Sequence, residues 1–149
     1  MTTAGATARA FARVAALYEE LERFVDASGS VCLRRGVCCR FEEAGHELFA
    51  TALEADYAVA RHPSAPGAEA PGRCPWHVAG RCHAREGRPI GCRTYFCDAR
   101  TASVLAEAHE HALARLRAIA REEGWPDVYA RFPELATERL ETLRGKAAP

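Results

Sequence analysis

Apolar positions recur at helical spacing toward both ends of this chain and lose that rhythm in the middle. Phe11, Val14, Tyr18, Leu21 and Val25 stand three or four residues apart, and Leu17 and Phe24 widen their stripe. Glu19, Glu20, Glu22 and Arg23 fill much of the other side, so the spacing predicts an amphipathic helix over 6–25, closed by the small residues at 26–29. A second helix is expected from Glu43 to Ala60, with Leu48, Phe49, Ala52, Leu53 and Tyr57 on its apolar face. Its first turn is rich in glutamate, which the field at a helix N-terminus favours. From Arg61 to Arg73 three prolines and two glycines predict a surface loop that closes inside one domain.

Past Asp98 the helical rhythm returns. Leu105, Ala108, Ala112, Leu116, Ile119 and Ala120 share a face of a long helix over 101–123, expected to be capped by Asp98, Thr101 or Ser103 and stopped by Gly124. Trp125, Val128, Tyr129 and Phe132 read as an apolar patch of the core around a short turn. A last helix over 134–144 should turn Leu135, Leu140 and Leu143 inward. The segment 74–97 has too little apolar periodicity for a helix, and short strands or turns are expected at 76–79 and 94–96. These elements imply a mainly α fold: a small helical domain, residues 1–149, with flanking helices at about 6–25 and 101–144. Its middle should be held by something other than a large hydrophobic core.

Composition narrows the class. With 48% apolar and 27% charged residues, the 149-residue chain has the makeup of a globular domain. Its formal net charge is zero, so bulk electrostatics indicate neither nucleic acid nor a membrane surface as partner. The N-terminal stretch lacks an apolar run of signal-peptide length, and no run of 18 apolar residues occurs, so a cytoplasmic location is expected. A reducing compartment disfavours disulfides, and seven cysteines cannot all pair within one chain.

Those seven cysteines fall into two groups, Cys32, Cys38 and Cys39 in CLRRGVCC, then Cys74, Cys82, Cys92 and Cys97. The spacings are C-x5-C-C, C-x7-C, C-x9-C and C-x4-C, without the close C-x2-C pairs of a standard zinc finger. An iron–sulfur cluster asks for four thiolates around a larger cage, which separated loops can supply. Between residues 73 and 100 six arginines face two acids, Glu86 and Asp98, and this positive excess would offset thiolate charge on either metal. His77 and His83 lie in the same segment as candidate ligands or hydrogen-bond donors around the site. His109 and His111, two apart on the long helix, do not form a metal pair. The adjacent Cys38 and Cys39 leave a thiol redox enzyme open as a rival reading, although no C-x-x-C, P-loop, dinucleotide fingerprint or H-E-x-x-H is present.

The ordered set CLRRGVCCR, a helical spacer, then CPWHVAGRCHAREGRPIGCRTYFC resembles the bacterial YkgJ-type cysteine-cluster family, a zinc- or iron-chelating domain. Cys32 matches the opening cysteine of that pattern, Cys38 and Cys39 the doublet, and Cys74 and Cys82 the next two. Arg88-Pro89 with Cys92-Arg93 matches the closing turn, continued by Tyr95 and Cys97. The inner cysteine of C-x-x-C-x-x-CC is missing, and Arg34 and Arg35 occupy that region. The resemblance implies a metal-binding core over 31–98.

Taken together, the residues lead to an iron–sulfur protein as the first expectation, most simply [4Fe–4S], with an electron-transfer or redox role and an unknown redox or protein partner. Cys39, Cys82, Cys92 and Cys97 are the favoured ligands, and Cys32, Cys38 and Cys74 are further candidates. Arg88, Arg93, His77 and His83 are expected around the ligands. A non-enzymatic zinc module is the alternative.

Overall fold

The computed structural model describes residues 4–30, 47–95 and 98–147. The chain there is mostly helical: α1 (Ala4–Ala27), α2 (Ala52–Arg61), α3 (Ile90–Thr94), α4 (Ala102–Glu122) and α5 (Phe132–Ala147). Two short antiparallel ribbons complete it. In the first, β1 (Phe49–Thr51) pairs with β4 (Tyr129–Arg131), Ala50 opposite Ala130. In the second, β2 (His77–Val78) pairs with β3 (Arg81–Cys82), His77 opposite Cys82. Among the described residues no helix is long and apolar enough to cross a membrane.

The stripe on α1 packs as its periodicity requires. Val14, Leu17, Tyr18, Leu21 and Val25 are buried against Leu105, Leu113, Leu116 and Ile119 of α4, while Phe24 remains about half exposed. Leu53 and Tyr57 of α2 and Ile90 of α3 close this cluster. The C-terminus of α4 shows why Gly124 stops it. Gly124 adopts a positive φ of 80°, Trp125 N–H donates to Ala120 O at 2.7 Å and Gly124 N–H to Arg121 O at 3.3 Å. These are the two bonds of a Schellman motif, which needs a left-handed residue at that position. At the other end no side chain caps α4: the Thr101 hydroxyl instead accepts from Ser30 at 2.8 Å.

Several expectations change. Of the helix expected over 43–60, residues 43–46 lie outside the described residues, and Phe49–Thr51 form a strand because the helix starts at Ala52. The start is set by a capping box. Thr51 Oγ1 accepts from Glu54 N–H at 3.2 Å, and Glu54 Oε2 accepts from Thr51 N–H at 2.7 Å. Thr94, expected in a short strand or turn, ends α3, and Leu143, expected inward, is 38% exposed near the end of α5. In the expected patch after α4, Phe132 is buried, but Val128 and Tyr129 are exposed as the chain runs into the two-stranded ribbon.

The middle of the chain also contains an apolar cluster where none was expected. Trp76, 1% exposed, stacks on Phe132 at 6.0 Å, and Leu48, Val59, Leu135 and Leu140 surround the pair. Indole Nε1–H donates to Ser64 O at 3.1 Å, so the proline-rich loop satisfies the buried donor. Helix α2 lies between the clusters, with Leu53 and Tyr57 in the first and Ala55, Ala58 and Val59 in the second.

Gly87, in the 3-10 turn Arg85–Gly87, is where that turn presses on α2. A Cβ there would stand 2.9 Å from His62 Cδ2 and 3.1 Å from Ala58 Cα. Backbone cannot yield as a side-chain tip can, so Gly87→Ala is expected to cost about 1–3 kcal/mol of stability. Urea unfolding of the two proteins measures this, and an unchanged midpoint would show that the turn moves off freely.

Candidate metal centre

Three of the candidate cysteines are described, and each is presented by a different local device. Cys74 precedes a turn in which His77 N–H donates to Cys74 O at 3.2 Å. The hairpin that follows turns through Ala79 and Gly80, both at positive φ (53° and 76°), the geometry of a two-residue I′ turn. Glu69 steadies it by accepting from Ala79 N–H at 2.6 Å. The return strand then sets Cys82 directly across from His77. Cys92 stands in the first turn of α3, with its N–H on Pro89 O at 3.1 Å.

Cys74, Cys82 and Cys92 line one small cavity of about 10 Å³, together with Trp76, Arg88 and Phe132. Cys74 is 6% exposed. Burial pushes its thiol up to about 12, while the backbone N–H groups of Trp76 and His77 pull the other way. Those donors favour the charged form. As a bare thiol Cys74 is thus protonated and inert, and a bound cation is what would remove its proton.

The support of α3 comes largely from residues that sequence reading passed over. Glu54 is 1% exposed. Besides closing the capping box of α2, its Oε1 accepts from Ile90 N–H at 2.8 Å, so one carboxyl joins the starts of two helices. Burial raises its pKa, against the opposing pull of the Thr51 and Ile90 donors and of Arg93. The T-x-x-E pattern at 51–54 was the available signal for the first role; nothing local announces the second. Tyr18 is the other such residue. Its hydroxyl is buried, has no partner among the described residues, and is pushed well above the ordinary phenol range by burial and by the charge of Glu54, against the opposing pull of Arg93.

The arginines and histidines expected around the ligands divide sharply. Arg88 lines the thiol cavity, donates from Nε to Arg85 O at 3.0 Å and reaches Glu22 at 3.3 Å. Arg93 is buried with its guanidinium 4.0 Å from the Tyr18 ring centre, and it donates to Arg88 O, Glu86 O and Glu22 Oε1 at 2.7–2.8 Å. Its charge is therefore engaged with carbonyls, an acid and a ring. His77 is 2% exposed and His83 is exposed. His111 is exposed, and His109 bonds Thr94. Cys32, Cys38, Cys39 and Cys97 lie outside the described residues.

Among the described residues no group of three His, Cys, Asp or Glu side chains converges closely enough to hold an ion. Cys74, Cys82 and Cys92 share the lining of one cavity without forming such a group. Any such site must draw further ligands from Cys32, Cys38, Cys39 or Cys97. Comparison of the chain with protein-family models, characterised proteins and solved structures finds no match.

Proposed function

We propose that this chain is a metal protein that binds through cysteine thiolates, and that its metal is iron in a sulfur cluster, most simply [4Fe–4S]. One observation carries the reading: cysteines from a turn, a strand and a helix start line one small cavity. Ligands brought from separate segments suit a multinuclear cage, and seven cysteines exceed the four that one zinc takes. Cys74, Cys82 and Cys92 would hold the group together with a cysteine from 32, 38, 39 or 97. Arg88 would offset its charge, and Trp76 and Phe132 would exclude water. When bound, the cluster would supply one-electron chemistry or hold the fold. The likeness to the YkgJ-type cysteine-cluster family belongs to the same proposal and rests on the cysteine order and the closing Arg88-Pro89 and Cys92-Arg93 turn.

A mononuclear zinc site is the second reading, favoured by the small size of the cavity, which admits about one water-sized occupant. Anaerobic purification followed by absorption spectroscopy and metal and sulfide analysis separates the two. The expected result is a brown protein absorbing near ~400 nm with iron and acid-labile sulfide. Colourless protein with stoichiometric zinc selects the second reading. Metal-free protein whose thiols cycle with a disulfide would leave the redox enzyme acting through Cys38 and Cys39.

A further inference from the structure

A larger pocket, about 450 Å³, lies on the other side of α3 from the thiols. Its size is that of small-molecule sites. Ala102, Leu105, Ala106, His109 and Glu110 of α4, spaced as one helical stripe, form one wall. Phe49 of β1 and Tyr129 of β4, ring centres 5.5 Å apart, belong to the lining with Gly91 and Thr94 of α3. The lining is mainly apolar, and its charged members among the described residues are two carboxylates, Glu47 and Glu110. Glu47 is paired with Arg131, and Glu110 beside His109 disfavours an anionic ligand.

His109 gives the pocket a directional group. The Thr94 hydroxyl lies 3.0 Å from Ile90 O and 3.1 Å from His109 Nδ1; with its one proton on Ile90 O, it accepts from Nδ1. In that arrangement Nδ1 carries the ring proton, and Nε2 keeps its lone pair. Burial lowers the pKa of this histidine, more than Glu110 raises it, which keeps the ring neutral near pH 7. Free histidine can exchange tautomers; a Thr94 hydroxyl that donates to Ile90 O favours the form that accepts at Nε2.

We propose that this pocket binds a small, uncharged aromatic molecule that places a single O–H or N–H donor on His109 Nε2. Flat rings match the apolar walls and the Phe49–Tyr129 pair. The inference uses no cysteine and stands apart from the metal reading.

Phenol and anisole, alike in shape but differing in the donor, test it on the full native chain. In long-range proton–nitrogen NMR at pH 8, the free protein should show His109 protonated at Nδ1. Phenol should move the Nε2 signal saturably and bind about ten-fold more tightly than anisole. Thr94→Val, which removes the acceptor that bonds His109 Nδ1, should erase most of that preference. Equal binding of the two probes, a phenol complex that leaves Nε2 unmoved, or His109 protonated at Nε2 in the free protein would each overturn the proposal. If the Thr94 variant fails to fold, the comparison of the two probes on the native chain still decides.

Discussion

Glu54→Ala should lower the stability of the protein by about 3 kcal/mol, because it strips acceptors from two buried N–H groups at once. Thr51 N–H and Ile90 N–H both end on this carboxyl, at 2.7 and 2.8 Å, in a site that is 1% exposed. A buried donor left without a partner costs about 1–3 kcal/mol, and loss of the cap adds to that. Relief from burying an ionisable group works in the opposite direction, which keeps the figure below the sum. Glu54→Gln should be milder, since one oxygen remains while the amide nitrogen faces a donor. Denaturant unfolding measures both, and an alanine variant as stable as the parent would mean that water enters the site and replaces the carboxyl.

The same carboxyl has a pH signature. Burial raises its folded pKa above the ordinary value of 4.5. Between those two values the native chain keeps a proton that the unfolded chain has released. Its contribution is therefore full at low pH and is lost as pH rises through the folded pKa. The glutamine variant, which does not titrate, should show a flatter stability profile across that window.

Cys92→Ala is expected to lower bound metal at least about ten-fold and to remove most of the metal-dependent stability, since binding a metal that holds the native chain is folding free energy. Cys92 is chosen because Glu54 fixes the start of α3 through Ile90, and Cys92 therefore meets the cavity from a constrained position. Metal analysis and thermal melts with and without a chelator provide the measurement. Chelated wild type and the variant should melt together. Unchanged metal content in the variant would take Cys92 off the ligand set.

How much of this was legible depended on how local each cause is. The α1 and α4 stripes are repeats within one segment, and both helices appear within two residues of the expected ends. The start of α2 was legible as well: Thr51 and Glu54 stand three apart, the capping-box interval, but Leu48 and Phe49 just before them prolong the apolar pattern and suggested a longer helix. Trp76 was placed in a weak strand or turn, and its burial depends on Phe132, 56 positions away along the chain. Cysteine order made Cys74, Cys82 and Cys92 candidates for one site. Which groups hold that site in place was not legible, because Glu54 reaches Ile90 and Arg93 reaches Glu22 only after α1, α2 and α3 have packed.

Helix α2 has a consequence for the chemical lifetime of the thiols. Its two faces belong to different apolar clusters, so an opening that displaces α2 uncovers both together. Partial openings of that kind approach the cost of global unfolding, and slow amide exchange marks the segments that behave this way. Cys74 lies in the cluster that α2 closes, beneath Trp76 and Phe132. An oxidant or alkylating agent would therefore reach this sulfur mainly through rare, near-complete openings, and the persistence of Cys74 in its reduced form becomes a property of folding cooperativity.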